Sequence, residues 1–397
     1  MSRELSKKIL SINPSATLAM SSKADVLRKD GVDIIAFNVG EPDFNTPKHI
    51  RDAMINAIKD GKSKYVAVSG IVELKDAIIN KFKRDNNLDY QTSQIIVSTG
   101  AKQALYEVIH TLVNDNDDII IPTPCWVSYE EMVKSANGNC LFVPTLSDFQ
   151  LDIDAIEKVV TSKTKAIIIS TPNNPSGAVY SKESLDKLAN LAIKHDFYII
   201  ADEIYEKLIY SNKPHYSIGT HSKEAYERTI TINGFSKTYA MTGYRIGYAA
   251  GPIEVIKAMT NLQAHLTSNS TSVVQYGAIA ALNEEQELVE EMVEEFKERR
   301  NLAFKLLSEI NDLKYEEVEG AFYIMLDVSS YFNKTYNSTI INNVDDMSMY
   351  LLEEAHVALV SGKAFKSENH LRFSYSNSKE NIEKGIKQIK RALDNLK

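Results

Sequence analysis

The chain has 397 residues, 44% hydrophobic and 25% charged, with 45 Lys and Arg against 53 Asp and Glu for a formal net charge of −8. That length holds a large core and about two domains, and an acidic balance without a basic run speaks against nucleic-acid or anionic-membrane partners. Cys125 and Cys140 fit neither a disulfide framework nor a metal-ligand spacing; with no secretory h-region and no apolar run of spanning length, the expected location is cytoplasmic and no metal is expected.

In chain order, short β-branched runs recur at Ile95–Ser98, Asp118–Pro122, Cys140–Pro144, Ala166–Ser170, Tyr198–Asp202, Thr229–Ile232 and Ile246–Ala250. Several are nearly all apolar, as strands covered on both faces are. Amphipathic stretches alternate with them. In "KQALYEVIHTLV", Ala104, Leu105, Val108, Ile109 and Leu112 share one helical face. Ser181 opens another such stretch, with acids in its first turns. The alternation predicts an α/β fold with a mostly parallel sheet flanked by helices. From Leu288 to Ile310 the helical period persists, with acids crowding its start and bases its later half, which suits the helix dipole. Beyond it, "AFYIMLD", "VALVSG" and "HLRFSYS" read as strands of a smaller α+β domain. The expected division is an N-terminal segment, 1–45, contributing to the small domain and active site; a large domain, 46–289; and a small C-terminal domain, 290–397.

Candidate chemistry falls where these strands end. "STGAKQAL" follows a strand and opens a helix, whose free N–H groups attract anions, and Gly100 allows close approach. "TPNNPSG" marks a turn and sets Asn173 and Asn174 at a strand end, the edge where ligands bind in such sheets. Asp202 ends "YIIAD"; it reads either as a helix N-cap or as a carboxylate awaiting a cation, with Tyr205 near it if a helix begins there. "NGFSKTYAMTGYRIGY" holds two cations, Lys237 and Arg245, in an otherwise uncharged stretch. A lysine in a mostly apolar site can lose its proton and act as a nucleophile. With Trp126, this set would surround a phosphorylated aromatic cofactor.

Gly234–Gly247 resembles the pyridoxal-phosphate attachment motif of class I aminotransferases. "NVGEPDFNTP", "KYVAVSGIVELKDAI", "STGAKQAL", "PTPCWVSY", "STPNNPSGAVY", "ADEIYEKLIY", "MTGYRIGY", "GAFYIMLD" and "HLRFSYS" follow in family order. The branch most resembled is the bacterial aspartate aminotransferase subgroup. The resemblance implies a fold type I homodimer with shared active sites, a seven-stranded large domain and a small domain. It implies that Lys237 carries the cofactor, pyridoxal 5′-phosphate, and moves the substrate proton. Asp202 would pair with the ring nitrogen, Tyr205 and Asn174 with the ring oxygen, and Trp126 would stack on the ring. Gly100, Ala101, Lys102, Ser236 and Arg245 would hold the phosphate, joined by Tyr65 from the partner subunit. Arg372 would clamp the substrate α-carboxylate and Gly40 would contact substrate. Lys102, Ser15 and Thr17 would favour a distal carboxylate, hence aspartate and glutamate.

Two departures stand out. Gly234 replaces a serine that binds phosphate in many relatives, and Asn13 replaces a basic residue associated in some with prephenate. The implied reaction is L-aspartate with 2-oxoglutarate by a ping-pong mechanism. Alternatives on the same cofactor are an aromatic, prephenate or alanine aminotransferase, or a C–S lyase. A ligand-sensing regulator of this fold would be expected to carry an added DNA-binding domain.

Overall fold

The computed structural model describes residues 4–337 and 339–397. Its main sheet has seven strands: β1 (Ile95–Ser98), β2 (Asp118–Thr123), β3 (Asn139–Pro144), β4 (Thr164–Ser170), β5 (Tyr198–Asp202), β6 (Thr229–Gly234) and β7 (Gly247–Ala250). They coincide with the seven apolar runs. The spatial order is β1-β7-β6-β5-β4-β2-β3. Pairing is parallel from β6 through β3, and β7 runs antiparallel to both β1 and β6. The edge strand β3 alone among the seven keeps exposed positions.

Five helices matter below: α1 (Ala16–Lys29), α2 (Ala101–Leu112), α3 (Lys182–His195), α4 (Glu287–Leu307) and α5 (Lys379–Asp394). Side chains of a strand alternate between faces. Ile119 and Ile121 of β2 therefore meet Leu105, Val108 and Ile109 of α2. Ile120 points the other way, into the core that Leu185, Leu188 and Ala192 of α3 share. Each such buried Leu, Ile or Val side chain contributes about 1.5–3 kcal/mol. Ser181 caps α3 by accepting from the Ser184 N–H.

A second sheet, antiparallel, contains β8 (Lys314–Tyr315), β9 (Tyr323–Asp327), β10 (Val360–Ser361) and β11 (His370–Ser374), in the order β10-β11-β9-β8. Phe296, Ala303 and Leu307 of α4 share its core with Ile382, Ile386 and Ile389 of α5. The N-terminal segment joins this layer: Ile35–Ala36 pairs in parallel with Val357–Ala358, and Met20 and Ala24 of α1 pack with Leu352 and Ala358. Among the described residues no helix is long and apolar enough to cross a membrane.

Candidate active site

Parallel pairing in register brings Ser170 beside Asp202, while Gly247 lies opposite both Ser98 and Gly234. The loops leaving this edge enclose a cavity of about 670 Å³. Ala101 and Lys102 enter it after β1, Trp126 after β2, Asn174 after β4, Asp202 and Tyr205 after β5, Ser236 and Lys237 after β6, and Arg245 just before β7. Ser15 and Thr17 at the start of α1, the Gly40 loop and Arg372 of β11 close the opposite side. Of the expected residues, two lie outside its wall. Gly100 stands behind it, and Tyr65 is 89% exposed on the outer surface.

Asp202 does not cap a helix. Residues 204–207 form turns, and all four side chains from Asp202 to Tyr205 are buried, so the segment has no exposed face for an amphipathic helix. The Asp202 carboxylate accepts from Tyr129 Oη at 2.7 Å and from the Ile204 N–H at 3.3 Å. Burial outweighs both hydrogen bonds and pushes its carboxyl up to about 6. Tyr205 Oη lies 2.9 Å from Tyr323 Oη, with burial keeping both phenols protonated. Tyr129 follows Trp126 by three residues, a spacing that could have flagged it. Tyr323 comes from β9, and no local pattern links it to Tyr205.

The cations are the distinctive feature. Burial holds Lys237 down at about 8, and its Nζ donates to the Gly40 carbonyl at 2.5 Å. Arg372 is buried; it donates to Asn174 Oδ1 at 3.1 Å and to the Asn38 carbonyl at 2.7 Å, between the rings of Tyr323 and Phe365. Its Nε has no partner. Lys102 Nζ sits 4.8 Å from the Trp126 ring centre, its amine pushed down by burial and by Arg245. Arg245, at φ 53°, packs against Gly100, where a Cβ would run into the guanidinium. Gly100 gives α2 no side-chain cap, so a cation faces the positive end of a helix. Among the described residues none of these four cations forms an ion pair. Gly234 is accounted for by packing: a Cβ there would lie 3.0 Å from Gly247 Cα across the β6–β7 pair. Ser236 and Thr242 are the hydroxyl residues that this loop brings to the cavity.

Four cations outside any ion pair among the described residues, a helix start and a lysine of depressed basicity, gathered with the Glu41 and Asp202 carboxylates at the strand ends of a doubly covered α/β sheet, suit a site that binds an anionic ligand and offers it an amine. Residues 32–389 match the family model for aminotransferase class I and II, and the chain belongs to that family. It is an aminotransferase of fold type I. It is 45% identical over 393 residues to an aspartate aminotransferase of Bacillus subtilis (strain 168), covering 98% of this chain and 99% of the relative. It is 42% identical to a probable aspartate/prephenate aminotransferase of Rickettsia bellii (strain RML369-C), covering 99% of each. The solved structure of a Thermus thermophilus aspartate aminotransferase with maleate superposes with a TM-score of 0.93 at 40% identity, over 98% of this chain and 100% of that one.

Proposed function

We propose that the protein transfers the amino group of L-aspartate to 2-oxoglutarate, giving oxaloacetate and L-glutamate in a ping-pong cycle, with pyridoxal 5′-phosphate in the cavity of a cytoplasmic homodimer. The observation that carries this reading is the set of four cations facing one cavity, none of them in an ion pair among the described residues, although the carboxylates of Glu41 and Asp202 share the same wall. The residues fit the cofactor. Arg245, Ser236, Gly100, Ala101 and the free N–H groups of α2 suit a phosphate dianion. Asp202, buried and held by Tyr129, suits a protonated ring nitrogen; Tyr205 and Asn174 suit the ring oxygen, and Trp126 the ring face. When bound, the cofactor supplies an aldehyde and an electron-accepting ring.

Lys237 would hold the cofactor, and its amine, with a basicity near 8, would take and return the proton at the substrate α-carbon at neutral pH. Asp202 holds a proton on the ring nitrogen. The planar fork of Arg372, unpaired at Nε, orients the α-carboxylate, with the Gly40 backbone beside it. Lys102, Ser15 and Thr17 receive the distal carboxylate. The relatives' names support aspartate, some with prephenate. Asn13 is tied to Glu131 through its backbone N–H at 3.0 Å and side-chain amide at 3.1 Å, and it offers no cation to a further carboxylate. This favours aspartate over prephenate. The expected domain bounds, 1–45 with 290–397 and 46–289, are supported by the pairing of Ile35–Ala36 with Val357–Ala358.

Two measurements test the reading. Borohydride reduction of loaded enzyme should fix the cofactor on the peptide containing Lys237 and leave Lys237→Ala unlabelled. In a donor panel, Lys102→Ala should lose kcat/KM for aspartate and glutamate by about tenfold or more, as expected for losing a charged hydrogen bond, and change little for alanine. An equal loss for alanine rejects the role of Lys102.

A further inference from the structure

The turn after β5 has two faces. Asp202 and Tyr205 face the cavity, while Glu203 and Glu206 enter a buried polar network instead. Lys81, the last residue of the helix Val72–Lys81, pairs with Glu206 and donates to Asn86 Oδ1 at 2.6 Å. Asn86 closes a π-helical turn and donates onward to Glu206 at 2.8 Å, Ser217 Oγ at 2.8 Å and Glu203 at 3.3 Å. Ser217 Oγ donates to Glu203 at 2.8 Å, and His215 Nε2 lies 3.0 Å from the same oxygen. Lys81, Asn86, Glu203, Glu206 and Ser217 are each at most 6% exposed.

Two carboxylates and an imidazole lie close enough to ligate a metal. The Lys81 ammonium on Glu206 already fills the role such a cation would have. Stability explains the network poorly, because buried ion pairs are often no more stabilising than apolar residues of the same volume. Geometry explains it better. Glu203 and Glu206 alternate along the chain with Asp202 and Tyr205, so any shift of the rear carboxylates moves the front pair. The backbone repeats this coupling: the Glu203 N–H donates to the Ile232 carbonyl of β6 at 2.9 Å, and the Glu206 N–H to Glu203 at 2.9 Å. Interlocked hydrogen bonds in a low-dielectric interior give such a turn one well-defined position.

We propose that Lys81, Asn86, Glu203, Glu206 and His215 are positioning residues of the transamination, fixing from behind the turn that presents Asp202 and Tyr205 to the cofactor. This rests on the cofactor reading above. The test uses holoenzyme with Glu206→Gln, which keeps shape, and the paired change Lys81→Met with Glu206→Met, which removes both charges together and leaves none buried alone. The readouts are the pH titration of the bound-cofactor absorbance and kcat with KM for aspartate. We expect the absorbance midpoint to move by about one pH unit or more and kcat to fall about tenfold, with KM within about threefold, because Arg372 and Lys102 are untouched. Variants that only melt at lower temperature, with the midpoint within about 0.3 pH unit and kcat within about twofold of the parent, would overturn the proposal. Unmodified enzyme without cofactor absorbance would overturn the underlying reading instead.

Discussion

Asp202 sits in a setting whose cost should be measurable. In the cofactor-free protein its carboxyl rises from 3.8 to about 6 through burial. The folded chain therefore holds this proton more tightly than the unfolded chain. Folding is unpenalised at low pH and loses roughly 3 kcal/mol as pH climbs from about 4 through 6. Asp202→Asn should lack this window when denaturant unfolding of the two cofactor-free proteins is compared across pH. A cationic ring nitrogen would remove the same penalty, so cofactor should stabilise the parent more than the variant. Tyr129→Phe removes the 2.7 Å donor to the carboxylate. Such charged hydrogen bonds are worth about 1.5–3 kcal/mol, so kcat should drop about tenfold or more and the cofactor absorbance should titrate at a shifted pH. An unchanged titration would mean that Tyr129 serves packing alone.

At the scale of elements, the seven strands were legible because each is an apolar run of strand length, and the chemistry was legible because the motifs follow those runs directly. Partnerships across the chain were not. Asn86 reaches Glu203 over 117 residues and Glu206 over 120, and neither charge nor periodicity announces such a meeting. The stretch "ADEIYEKL" looks compatible with a helix start, yet it becomes turns because both its faces are buried. His215 belongs to the same hidden layer. The charged groups facing it are Glu203, Glu206 and Lys81. Burial pushes its imidazole down, but the two carboxylates prevail over burial and Lys81, and the net direction is up from 6.5. A raised histidine contributes stability in full below its unfolded value and loses it as pH rises through the folded one. Melting temperature should thus decline between about pH 6.5 and the raised value, and His215→Gln should flatten that decline.

At the scale of the whole molecule, the proposed homodimer makes a distinctive prediction through Tyr65. It is 89% exposed and takes no part in the wall of its own cavity, as a residue serving the partner's site would. Lys237→Ala and Tyr65→Ala chains should each show little activity alone. Mixed and allowed to exchange subunits, they form heterodimers in which one site combines an intact Lys237 with an intact Tyr65. Random pairing should restore about one quarter of the parent activity. No recovery after demonstrated exchange would place Tyr65 outside the partner's site.

The four unpaired cations also bear on how a substrate arrives. Each chain carries a formal −8, so a dicarboxylate is repelled over the general surface. Charges are screened beyond about 8 Å at physiological ionic strength, which weakens that repulsion outside the mouth. Inside, Lys102, Arg245 and Arg372 act across low-dielectric walls that concentrate their field. Salt therefore relaxes an outer barrier and an inner attraction together, and the capture rate of a dianion should vary less with ionic strength than either field alone would dictate. The mouth works as a local sink for anions set in an anion-repelling body.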